Sequence, residues 1–148
     1  MKPEQSNRSY SQINPSSKLE HFVDSYWEHK NESSSPIKVS IFPDSFFKVI
    51  IFLVDGKIEK YFITGLWTKV TEFIIPANVI VYGVRFKILA PEYVLQQEVA
   101  NLIETHQNLS LDFWNVSSFK FSSFEEVVSQ VEAILSEKLT QNKKIRWQ

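Results

Sequence analysis

The chain has 148 residues, 43% of them hydrophobic and 14% aromatic, with a formal net charge of −1. This length and composition predict one folded domain that buries roughly two thirds of its unfolded surface, and they exclude a disordered chain. Near-neutral charge excludes a global field that draws the chain to nucleic acid or acidic membranes, and the lack of cysteine excludes disulfides and thiolate metal sites.

The first 17 residues, MKPEQSNRSYSQINPSS, are polar and carry no hydrophobic signal region, so they predict a flexible N-terminal arm. With no apolar run of about 18 residues to span a bilayer, the chain reads as soluble and cytoplasmic. A β core is expected over residues 18–90 and a helical segment over residues 91–148. The first strand is placed at residues 22–30, and NESSSP at residues 31–36 is a loop by composition.

Residues 39–54, VSIFPDSFFKVIIFLV, are the stretch the core is built around. Two apolar runs rich in β-branched and aromatic residues flank Pro43-Asp44-Ser45, a turn or bend by proline's fixed φ and the side-chain bonding of Asp and Ser. They predict two partnered strands, 39–42 and 46–54. In the second, Lys48 is the single charge, so both faces must be covered, as in a barrel or sandwich interior. Asp55-Gly56 is a type I′ hairpin signal leading into an alternating strand over 58–66. Residues 70–75 and 79–88 are further strands around Pro76-Ala77-Asn78. Gly83 inside the latter predicts a bulge or a close backbone approach. Short helical pieces are expected near 93–95 and 99–103.

The clear helix is at residues 122–139. Ser122 with Glu125, or Ser123 with Glu126, has the capping-box spacing. Phe124, Val127, Val128, Val131, Ile134, Leu135 and Leu139 make one apolar stripe. Val127, Val131 and Ile134 are candidates for a dimer interface, with self-packing favoured for Phe124 and Val128.

Little in the chain resembles catalytic machinery. There is no GxSxG elbow, catalytic cysteine or Gly-rich phosphate loop. His21, His29 and His106 lack the His-x-His spacing of a β-barrel metal centre, so neither metal nor cofactor is expected. No pair of short basic helices predicts DNA reading by this chain. A binding pocket is more tenable: Trp27, Phe42, Phe47, Trp67, Tyr82 and Phe86 offer aromatic walls, and Arg85 an anchor for an anion or carboxylate.

The succession SYWEHK, FPDSFFKVIIF, ITGLWTKVTEF, VYGVRFKILAPEYVL and LDFW, over residues 19–115, resembles the N-terminal sensor and dimerisation domain of AraC-type transcriptional regulators. Tyr26-Trp27, Pro43-Asp44, Gly65 and Gly83-Val84-Arg85-Phe86 carry the resemblance. Ser45 stands where that family usually has glycine, and Pro91 is shifted from its usual place. The resemblance implies a mainly β, cupin-like or jelly-roll β-barrel followed by helices. It also implies a module that senses a small-molecule effector or pairs as a homodimer. DNA would be bound by a separate C-terminal domain with two helix-turn-helix units. KKIRWQ after a helix suits a chain ending at an interdomain linker. The expected function is therefore ligand sensing or dimerisation without catalysis or DNA binding by this chain. The alternative is a stand-alone cupin- or lipocalin-like binding protein or enzyme.

Overall fold

The computed structural model describes residues 8–87, 90 and 106–146. The chain is mainly β, with strands β1 (Arg8–Ile13), β2 (Val23–Asn31), β3 (Ile37–Ile41), β4 (Phe47–Val54), β5 (Lys57–Thr64), β6 (Thr71–Ile75), β7 (Val79–Phe86) and β8 (His106–Asn108). A 3₁₀ segment (Phe113–Ser118) and helix α1 (Phe124–Arg146) follow. Six strands form one antiparallel sheet in the order β1-β2-β7-β4-β5-β8, and β3 with β6 form a separate ribbon.

Strand β4 lies inside the sheet between β5 and β7, which is why it tolerates an unbroken apolar run. Val49, Ile51 and Leu53 point to the side covered by α1, while Ile50 and Phe52 point to the ribbon. The β4–β5 hairpin turns at Asp55 (φ 50°) and Gly56 (φ 75°), the two positive angles a type I′ turn needs.

On the helix side, Phe124, Val127, Val128, Val131, Leu135 and Leu139 are buried against the sheet. The helix opens with the Glu126 N–H donating to Ser123 Oγ at 3.1 Å. The Tyr26 hydroxyl donates to Glu132 Oε2 at 2.7 Å, and the Ser16 N–H reaches the same oxygen at 3.1 Å, fastening the approach to β2 onto α1. On the opposite face, Ile37 and Ile75 of the ribbon pack with Trp27, Ile50, Phe52, Val79 and Val81 of the sheet. Asn31 Nδ2 holds the ribbon's ends, donating to the carbonyls of Ser35 (3.0 Å), Ile75 (3.1 Å) and Pro76 (3.0 Å).

Several expectations are corrected. The β layers form an open sandwich, not a closed barrel: β1 and β8 end the large sheet, and among the described residues the ribbon pairs only with itself. Strand β3 partners β6 rather than β4, so the turn or bend at Pro43-Asp44-Ser45 is a crossover between layers. Residues 8–13 of the expected flexible arm are strand β1, paired with β2 from Arg8↔Asn31 to Ile13↔Tyr26. The segment expected to be helical also supplies β8, paired with β5. The proposed interface residues Val127 and Val131 are buried in the chain's own core, which uses their apolar surface, and Ile134 is half-buried against it. The helical pieces near 93–95 and 99–103, and residues 1–7 of the arm, lie outside the described residues.

Candidate functional site

The ribbon is narrower than the sheet it covers, and a cleft opens on each of its flanks. The larger, about 860 Å³, lies toward β5 and β8 and is walled by Phe52, Phe62, Thr64, Trp67, Phe73 and His106, among others. The smaller, about 330 Å³, lies toward β1 and β2 and is walled by Trp27, His29, Phe42, Asp44, Lys48 and Arg85, with Tyr10 and Phe46 beside them. Ile41, Ile50 and Phe73 line both, so the clefts share an apolar partition under the ribbon.

The larger cleft is apolar with polar atoms at depth. Thr64 is 4% exposed, and its hydroxyl has no hydrogen-bond partner. The indole N–H of Trp67 is likewise buried without a partner. Charge sits nearer the mouth: exposed Lys60 lies 5.3 Å above the Phe52 ring, and exposed His106 meets Phe62 edge-on at 5.3 Å. The backbone of the Pro43–Ser45 crossover is tied to this wall by the Asp44 N–H donating to the Trp67 carbonyl at 3.3 Å.

Two cations meet in the smaller cleft. Lys48 and Arg85 are direct cross-strand neighbours, a pairing that repels unless each has its own counter-ion. Lys48 is buried and donates to Asp44 Oδ2 at 2.8 Å, while Asp44 Oδ1 accepts the Phe46 N–H at 3.2 Å. Arg85 is held more loosely. Its Nη1 stands 3.5 Å from Asp24 Oδ2 and 3.4 Å from Ser25 Oγ, its plane lies 5.7 Å from the Phe46 ring centre, and its Nε is buried without a partner. Trp27, 5% exposed, also has an unpartnered indole N–H. It lies flat over Gly83, its register partner, where a Cβ would fall on the indole ring. Close approach, not a bulge, is the reason for that glycine.

Of the five buried side-chain polar atoms without a partner among the described residues, four line these clefts; Trp114 is the exception. Leaving a buried donor unmade costs about 1–3 kcal/mol, so the walls of these clefts carry a concentrated hydrogen-bonding deficit. Of the five exposed large apolar side chains among the described residues, Tyr10 and Phe42 lie at the smaller cleft and Ile74 and Leu111 at the larger, with Val70 at neither.

The aromatic set picked out from the sequence is thus divided. Trp27, Phe42 and Arg85 meet in the smaller cleft, and Trp67 lines the larger one. Phe47 and Tyr82 sit on the other side of the sheet, in the core under α1, as does Phe86. Tyr82 stacks there between Phe121 and Phe124, and its hydroxyl bonds to the buried Glu28, its register partner. Alternation assigns Tyr82 and Arg85 to opposite faces of β7, and that much was available from the sequence. Thr64 and Lys48 were missed. Lys48 did carry a signal: a lone charge in a fully apolar strand needs an ion partner, and Asp44 is the nearest acid.

Among the described residues no three His, Asp or Glu side chains converge as a metal-holding group, and no helix is long and apolar enough to cross a membrane. A family model described as a domain of unknown function, DUF6597, matches residues 11–108. That span runs from within β1 to the end of β8 and takes in the ribbon and most of the sheet and of both cleft walls, leaving Tyr10, Leu109, Leu111 and α1 outside. No curated protein and no solved structure matches the chain.

Proposed function

Because the chain belongs to the DUF6597 family, whose function is unknown, we propose from its chemistry that it is a small-molecule-sensing module of the kind found in AraC-type transcription regulators. The observation that carries this reading is that four residues walling the two clefts, Thr64, Trp67, Trp27 and Arg85, each hold a buried polar atom without a partner. A ligand seated under the ribbon supplies their missing hydrogen bonds and fills apolar space, so it binds the folded chain and stabilises it. It also touches sheet and ribbon together, which converts occupancy into a change in how firmly the ribbon is held.

The resemblance to AraC-type sensors gains support from where its signature residues lie: Asp44 of the Pro-Asp turn and Arg85 of the Gly-Val-Arg-Phe segment line one cleft. The proposal is for binding rather than turnover. Among the described residues the Thr64 hydroxyl makes no hydrogen bond, its register neighbour His106 included. Contact with DNA would belong to a separate domain, and pairing of two protomers would use a surface other than the buried stripe of α1.

The test is a thermal-shift screen against neutral sugars, organic acids and small aromatics, run on the wild type, Thr64→Val, Trp67→Phe and Arg85→Met. At least one class should raise Tm with the logarithm of its concentration, and a variant in one cleft should abolish that rise. Thr64→Val should itself stabilise the free protein by about 1 kcal/mol, because an isosteric methyl removes an unmade hydrogen bond. No shift with any class, or a shift indifferent to all three substitutions, overturns the reading.

A further inference from the structure

We propose that the smaller cleft is a carboxylate site, in which the Nε edge of Arg85 and the indole N–H of Trp27 hold the head of an organic monocarboxylate. This deepens the sensing reading and rests on it.

The two unpartnered atoms on the wall of this cleft are both obligate donors, each with under 1 Å² of open surface, so a ligand reaches them by a turn of the part-exposed Arg85 and of the indole. An indole N–H and a guanidinium N–H have no acceptor capacity, so neither a metal ion nor an amine satisfies them. What they need is an acceptor. Arg85 sharpens the requirement. Its Nη1 contacts, 3.4 Å to Ser25 and 3.5 Å to Asp24, are well beyond the roughly 2.7–2.9 Å of a charge-assisted bond, and Nε makes none. A planar fork with an unused edge matches the two coplanar oxygens of a carboxylate. The Phe46 ring beneath the guanidinium keeps that plane in place.

Charge limits the head group to a single negative charge. Lys48 opposite Arg85 is closed off by Asp44, while Asp24 stands beside the guanidinium, so two acids face the site. They would repel a phosphate dianion more strongly than a monoanion. His29, the remaining titratable ring on this wall besides Tyr10, is packed between Tyr10 and Trp27 at 4.6 and 5.7 Å. The body of the ligand is apolar. Phe42 at the mouth is 64% exposed and offers an apolar ring to that body. A volume of about 330 Å³ suits a molecule the size of an aromatic or medium-chain fatty acid.

Isothermal titration of the whole chain with benzoate, phenylacetate, cinnamate and octanoate, each against its primary amide, tests the assignment. At least one acid should bind, with its amide at least tenfold weaker. Arg85→Met and Arg85→Lys should each lose at least tenfold in affinity for that acid. The lysine variant keeps the charge but not the fork, and its circular dichroism and melting should match the wild type. Thr64→Val, in the other cleft, should leave the affinity for the acid unchanged. Amides that bind as well as acids, an Arg85→Met variant that binds like the wild type, or no binding by any of the four acids overturns the proposal. If neutral compounds bind in a Thr64-dependent way while no acid does, the carboxylate site falls and the sensing reading stands. If nothing binds in either cleft, both fall.

Discussion

Glu28 is a buried carboxylate on the helix side of β2, opposite Tyr82. Burial raises its pKa above the ordinary carboxylate value. Lys30 and the Tyr82 hydroxyl pull it back, and Glu125 of α1 with Glu32 add to the rise. A raised carboxyl binds its proton more tightly in the folded chain than in the unfolded one. The folded state is therefore favoured below the unfolded pKa, and that advantage is lost as pH rises through the folded value. Glu28→Gln should leave stability at pH 4 nearly unchanged and increase it at pH 8, by about 1 kcal/mol for each unit of the shift. Urea midpoints at the two pH values check this, and a variant less stable at pH 8 than the wild type contradicts it. Neighbours of this kind are only half legible in a sequence. Gly83 announces a close approach, yet that Trp27 fills it depends on a register between strands more than 50 residues apart in the chain.

At the scale of elements, the legible features were those written into local periodicity. The stripe from Phe124 to Leu139 and the Asp55-Gly56 hairpin are examples, and both are present where spacing put them. Strand β1 was missed because an edge strand with one neighbour needs few apolar residues, and Arg-Ser-Tyr-Ser-Gln-Ile reads as a polar arm. The partner of β3 was missed because closeness in sequence favoured β4, whereas the crossover at Pro43 carries the chain to the other layer. An apolar stripe also does not say what covers it. Here it is the large sheet, with Val131 1% exposed. Val131→Asp should therefore cost about 3–5 kcal/mol, the penalty of an uncompensated buried charge, rather than split a folded dimer. Circular dichroism with light scattering separates the outcomes. A well-folded, monomeric Val131→Asp protein would restore the helix as an interface.

Taken as a whole, the molecule is two layers of unequal cohesion. Each inner strand of the sheet pairs on both sides, while among the described residues β3 and β6 pair only with each other and meet the sheet through side chains. This inequality was not legible, because a closed barrel and an open sandwich share the same alternation. Local opening should follow it: amides in β3 and β6 should exchange faster than those in β4 and β7, since fewer contacts must break to release them. Asn31 is a polar tie between the layers, the two N–H groups of its amide shared among three carbonyls. Asn31→Ala should lower the opening free energy of the ribbon by about 1–3 kcal/mol and leave β4 and β7 nearly unaffected. Hydrogen exchange read by mass spectrometry gives both quantities. A ligand that binds under the ribbon should slow exchange in β3 and β6 in proportion to its occupancy, because it must leave before the ribbon can lift. Uniform protection across both layers, or an Asn31→Ala effect spread evenly over the sheet, would mean that ribbon and sheet open as one unit. Occupancy would then have no separate element to act on.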